Sequence, residues 1–249
     1  MRDNFLVLFL ILTSVAHAAV PESFTQKNIN YRTYIGECPS KSSGMFALAV
    51  MKEFEKHLSL KDVKEKIINE KLDEKFFLSD YRISYNPVIK SLKVNLDCPE
   101  PLAKVQVYKA NGEEHYSAIL GDNARLYEPG FENLMRAENK LTQNLPSLAL
   151  SLEQVNSDAP TNIANLVKMM DKELRNQVSE ILINKNSELT IVFALDRKAT
   201  SVFMGADLWE EKLTKLTKII GYVSKNKRYP SSINLVNAKK VVVKFSDNI

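Results

Sequence analysis

"VSEILINKNSELTIVFALDRKATSVFMGADLWEEKLTKLTKIIGYVSKN", residues 178–226, decides the architecture. Up to Gly205 it reads as three β-rich runs in succession, each bounded by polar turn residues. The period then changes. Asp207 stands at a helix start, and Trp209, Leu213, Leu216, Ile220 and Val223 recur at helical spacing as one apolar stripe. A helix that follows consecutive strands needs a sheet to lie on, which predicts an α+β fold with helices packed against a mostly antiparallel sheet.

Outward from this stretch toward the C-terminus comes "INLVNAKKVVVKFSDNI", residues 233–249, which reads as a β-hairpin with almost no chain behind its last strand. An edge strand presents unpaired N–H and C=O groups that proteins usually cover or blunt. Either the last strand lies inside a sheet or its edge is there to be bound. Lys239, Lys240 and Lys244 argue against deep burial, and lysine on an edge also guards against aggregation.

In the other direction, "TNIANLVKMMDKELRNQ" reads as a helix with Ile163, Leu166, Val167 and Met170 on one face. Residues 129–160 carry only weak signals. "YSAILGDNARLYE" reads as a hairpin turning at Gly121, Asp122 and Asn123. "IKSLKVNL" and "LAKVQVYK", broken by "CPEP", read as a second hairpin. A short amphipathic turn or helix is expected to end at Asn86 and Pro87. Ser59 and Asp62 form a capping box ahead of Val63, Ile67 and Ile68. Met45 to Phe54 fits helix or strand, and residues 19–44 read as a polar linker.

The N-terminal "MRDNFLVLFLILTSVAHAAV" places Arg2 before an apolar run and ends in the A-x-A pattern Ala16-His17-Ala18. That is the layout of a secretory signal peptide over residues 1–18, or of a short uncleaved signal anchor. Both readings export the rest of the chain. Two cysteines follow, Cys38 and Cys98, and an oxidising compartment allows them one disulfide if the fold brings them together. The charge balance, 34 basic against 30 acidic residues, is too even to argue for nucleic acid. Seven glycines include no phosphate-binding loop. Beyond the signal segment only His57 and His115 remain as histidines, with no metal-ligand spacing and no nucleophile elbow. No catalytic residue, cofactor or metal is expected, which disfavours a hydrolase.

A resemblance rests on the order of several motifs. "HLSLKDVKEKI", "NPVIKSLKVN", "PEPLAKVQVYK" and "YSAILGDNARLYE" together resemble a POTRA domain. "SELTIVFALDRKATSVFMGADLWEEKLTKLTKIIGYV", with Gly205 ending a turn and Lys212-Leu213 on the helix, resembles the β domain of the bacterial cell-division family FtsQ (DivIB), as does "SSINLVNAKKVVVKF". The similarity spans roughly residues 45–246. It implies a POTRA-like β-α-α-β-β unit over 45–110 and an FtsQ-type β domain over 111–249. It further implies a non-enzymatic scaffold outside the cytoplasmic membrane at the division site. Such a scaffold docks an FtsB/FtsL-like coiled-coil partner by strand addition, alongside other divisome proteins. Membrane association would come through partners or an uncleaved anchor. Asn237, Val241, Val243, Phe245 and Trp209 are the partner-binding residues this implies, with Phe245 matching the family's terminal aromatic. Asn234, Val236 and Asn237 depart from the family pattern. The alternative setting is a POTRA-bearing accessory of outer-membrane protein assembly or secretion.

Overall fold

The computed structural model describes residues 29–237 and 239–245. The signal segment expected over residues 1–18 lies outside them. Among the described residues no helix is long and apolar enough to cross a membrane.

The first elements are β1 (Asn30–Tyr34), α1 (Ser40–His57), α2 (Leu60–Asn69), the single-turn α3 (Leu72–Lys75), β2 (Asp80–Asn86) and β3 (Ser91–Asp97). Their strands form a three-stranded sheet in the order β1-β3-β2, with β1 parallel and β2 antiparallel to β3. The helices lie on it because each has an apolar face at helical spacing. Phe46, Val50 and Phe54 of α1 and Val63 and Ile67 of α2 meet Leu92, Val94 and Leu96 of β3 in one buried cluster. The expected cap is present: the Ser59 hydroxyl accepts the Asp62 backbone N–H at 3.3 Å and starts α2.

The chain then builds β4 (Pro101–Tyr108), β5 (Glu114–Gly121), β6 (Leu126–Tyr127), α4 (Gly130–Ala137), β7 (Ser147–Ser151) and α5 (Leu152–Val155). It continues with α6 (Ala159–Met169), α7 (Lys172–Gln177), β8 (Val178–Ile183), β9 (Leu189–Leu195), β10 (Lys198–Gly205), α8 (Trp209–Lys225), β11 (Ser232–Asn234) and β12 (Val242–Lys244). These strands make a nine-stranded mixed sheet in the order β12-β11-β10-β9-β8-β7-β4-β5-β6. Ile163, Leu166 and Val167 of α6 and Leu213, Leu216, Ile220 and Val223 of α8 pack with the strands into the largest core. The protein is α+β, as its order of strands and helices suggests.

The two sheets are joined by more than the linking chain. Phe77 enters a third buried cluster, stacked on Phe131 with centroids 4.9 Å apart and edge-on to Tyr127 at 4.8 Å. The Tyr127 hydroxyl donates to the Leu78 carbonyl. Glu138, just after α4, takes the first N–H of α1: the Ser40 backbone donates to both carboxylate oxygens at 2.9 Å. Lys140 donates to the Cys38 carbonyl. Cys38 and Cys98 are disulfide-bonded, with Cα atoms 5.2 Å apart across 60 residues of sequence.

Several sequence expectations change. In the presumed linker, Asn30–Tyr34 is a strand and α1 begins at Ser40. The local pattern hid both, because β1 is half-exposed and the cap of α1 comes from Glu138, 98 residues away. Met45 to Phe54 resolves as helix within α1. The turn or helix expected to end at Asn86 is the strand β2, in which Tyr81, Ile83 and Tyr85 alternate with exposed residues. "IKSLKVNL" and "LAKVQVYK" do not form a hairpin. β3 pairs with β1 and β2, and β4 pairs with β5 and β7. The Cys98-Pro99-Glu100-Pro101 segment carries the chain from one sheet to the other, with Cys98 held by the disulfide. The expected helix over 161–177 divides, because Asp171 caps a new helix by accepting the Leu174 N–H at 2.8 Å. Residues 129–160 contain β7, a central strand of the large sheet.

Candidate functional site

β12 is an edge strand. It pairs with β11 in the register Ser232↔Lys244, Ile233↔Val243 and Asn234↔Val242. Among the described residues no strand pairs with its other side. The direction of its backbone follows from β11. The Ser231 carbonyl accepts from Ser201 N–H and the Leu235 N–H donates to the Phe203 carbonyl, so Ile233 between them turns its main chain toward β10, while the Ser231 N–H, just before the strand, donates to the Lys244 carbonyl of β12. Ser232 and Asn234 therefore turn theirs toward β12, and their partners Lys244 and Val242 face inward. Peptide groups alternate along a strand. Val243 is thus left with its N–H and C=O directed at the open side.

The Val243 side chain lies on the other axis. It is opposite Ile233, which is fully buried, and packs against the main core. Val242 points to the opposite face and is exposed, as is Val241 just before the strand. Phe245 follows the strand with the Arg228 guanidinium 4.4 Å from its ring centroid. Val241 and Phe245 thus flank β12 on either side, each two residues from Val243. Asn237 lies in the turn between β11 and β12, where its side-chain oxygen accepts the Lys239 N–H at 2.9 Å. Its observed contact is the turn itself.

Trp209 is placed elsewhere. Its indole N–H donates to the Gly205 carbonyl at 2.8 Å, and its ring lines a cleft of about 250 Å³ with Asn162, Asn165 and Met169 of α6. It borders α6 and does not share the β12 patch. Asp207, read as the helix cap, is not one. The cap position is Leu208, with φ of 49°, and the Asp207 carboxylate accepts from Lys212 Nζ at 2.7 Å.

Lys212, part of the Lys212-Leu213 pair, lies in an environment that the motif does not disclose. It is fully buried, and Nζ also donates to the Met204 carbonyl at 2.8 Å. With Gly205 at φ of 72°, it fixes the turn that carries β10 into α8. A Cβ on Gly205 would meet Val236 at an ordinary contact distance of 3.4 Å, so what calls for glycine here is the positive φ. The signal was present in the sequence: Lys212 lies between Trp209 and Leu216 at helical spacing, inside the apolar stripe.

The two histidines stand apart from this edge. His57 lies 3.4 Å from Glu53, and His115 is exposed beside Tyr116. No protein-family model matches the chain, and no curated protein matches it.

Proposed function

We propose that the protein is a non-enzymatic exported scaffold that docks a partner by adding the partner's strand to the outer edge of β12. The observation that carries this reading is the open edge itself: a nine-stranded sheet ending in a strand whose Val243 amide and carbonyl face outward. Strand addition supplies main-chain hydrogen bonds for affinity, and side chains on either face of the sheet supply selectivity. The Cys38–Cys98 disulfide suits an oxidising compartment outside the cytoplasm.

The motif order supports the division setting. In this reading the first unit is POTRA-like, the second is FtsQ-type, and the received strand belongs to an FtsB/FtsL-like coiled-coil protein at the periplasmic face of the inner membrane. Val241, Val243 and Phe245 line the docking edge, Asn237 shapes its approach, and Trp209 supports the underlying helix from the α6 side.

The test is capture of partners from the organism's own envelope extract by the exported chain and by its Val243→Pro variant. Proline removes the outward donor while the inward-facing pairs keep their bonds, so the variant is expected to fold, which circular dichroism checks. The reading predicts that a single-pass coiled-coil protein is retained by the native chain and lost by the folded variant. Retention by both places the interface elsewhere, and recovery of barrel-assembly proteins supports the outer-membrane setting instead.

A further inference from the structure

We infer that the strand received at β12 is acidic: an extended peptide whose short apolar core is flanked by Asp and Glu side chains. This rests on the reading of β12 as a docking edge and adds the chemistry of its occupant. From Lys212 to Phe245 the sequence contains nine lysine and arginine residues and no aspartate or glutamate. The remaining 25 of the 34 basic residues share the rest of the chain with all 30 acidic ones. The excess of positive charge is thus concentrated in one segment, and that segment builds the open edge.

The fold distributes these cations around β12. Lys225, Lys227 and Arg228 lie at and just beyond the C-terminal end of α8, the end marked by the Arg228–Phe245 contact. Lys239 and Lys240 occupy the turn entering β12 at its opposite end, and Lys244 is on the strand. All six are exposed, and none is held in an ion pair among the described residues. Lys212 is buried against Asp207 and takes no part. Lysines on the strand alone would guard an edge against aggregation. Guarding does not require that every acidic residue be missing from Lys212 through Phe245, nor that cations stand at both ends of the edge.

A one-signed field of this kind selects partners and speeds encounter more than it adds affinity. An anionic lipid surface would feel the same field. It has no row of amides to pair with the outward Val243 N–H and C=O, whereas an extended peptide has both groups at the right spacing. The geometry therefore favours the peptide.

The experiment is selection from a display library of short random peptides on three forms of the exported chain. These are the native form, Val243→Pro, and a charge-reversed Lys239→Glu/Lys240→Glu/Lys244→Glu variant, each checked for folding by circular dichroism. A milder set with glutamine at the three positions serves if the reversed form does not fold. The native chain is expected to enrich peptides with Asp and Glu flanking an apolar core, and Val243→Pro to lose them. The reversed chain should switch its preference to Lys and Arg, and the glutamine form should weaken a selected acidic peptide about tenfold at low salt. Charge-neutral enrichment that Val243→Pro still abolishes overturns the acidic occupant and leaves strand docking standing. Acidic enrichment indifferent to Val243→Pro removes the docking edge and the inference built on it. Absence of enrichment overturns the inference. So does binding to phosphatidylglycerol vesicles, abolished by charge reversal, in place of peptide selection.

Discussion

Lys212 concentrates the chemistry of the turn between β10 and α8. A buried ammonium is tolerated only when its protons find acceptors, and here the Met204 carbonyl and Asp207 carboxylate supply them. Lys212→Met keeps the side-chain volume but leaves the Met204 carbonyl without its donor. The expected cost is about 2 kcal/mol, the price of one unsatisfied buried acceptor with little packing loss. Chemical denaturation measures it directly, and an unchanged midpoint contradicts the assigned role. The same scale separates Val243 from its neighbours. Val242 and Lys244 spend their main-chain groups on β11, so proline at either position is expected to lower the unfolding midpoint, while Val243→Pro affects binding first. Melting curves of the three proline variants check this ordering, and equal destabilisation by all three contradicts the deduced orientation.

Among the elements, those with strong local periodicity were legible from sequence. α8 shows its stripe, α2 its Ser59 cap, and β8, β9 and β10 their turns. The last hairpin was legible as a hairpin, and its lysines argued against deep burial. What escaped depends on contacts distant in sequence. β1 contributes only a half-exposed strand whose partner, β3, lies across three helices. α1 starts where Glu138 accepts its first N–H, which no local pattern encodes. β3 and β4 alternate like a hairpin, yet two prolines and a disulfide at their junction send them to different sheets. The orientation of Trp209 was not legible, because it depends on how α6 packs. The disulfide also acts at this scale, tying the turn before α1 to the junction after β3. Closing a loop of 60 residues is worth about 4 kcal/mol on chain-entropy grounds, so Cys38→Ser/Cys98→Ser should lower stability by that order. Urea unfolding with and without reductant provides the check. Indifference to reductant means that the surrounding contacts alone hold the junction.

At the scale of the whole molecule, two sheets act as one body through the Phe77 cluster, the disulfide and the Glu138 contacts. The Ser40 backbone N–H, followed by its hydroxyl and Lys140, holds the Glu138 carboxyl below its ordinary pKa despite partial burial. Because the folded pKa is the lower one, this stabilisation is complete above the unfolded value of about 4.3 and is lost as the pH falls through the folded value. Stability should therefore decline on acidification below pH of about 4, and Glu138→Gln should flatten that part of the profile. Thermal melts across the acid range measure both effects, and identical profiles for the two proteins contradict the assignment. Amide hydrogen exchange followed by nuclear magnetic resonance tests the open strand most directly, on the free chain and on its complex with the captured partner. Strand addition predicts that the Val243 amide exchanges freely alone and becomes protected on binding, while Val242 and Lys244 are protected in both states. A Val243 amide that exchanges equally fast in the complex would contradict docking at this edge.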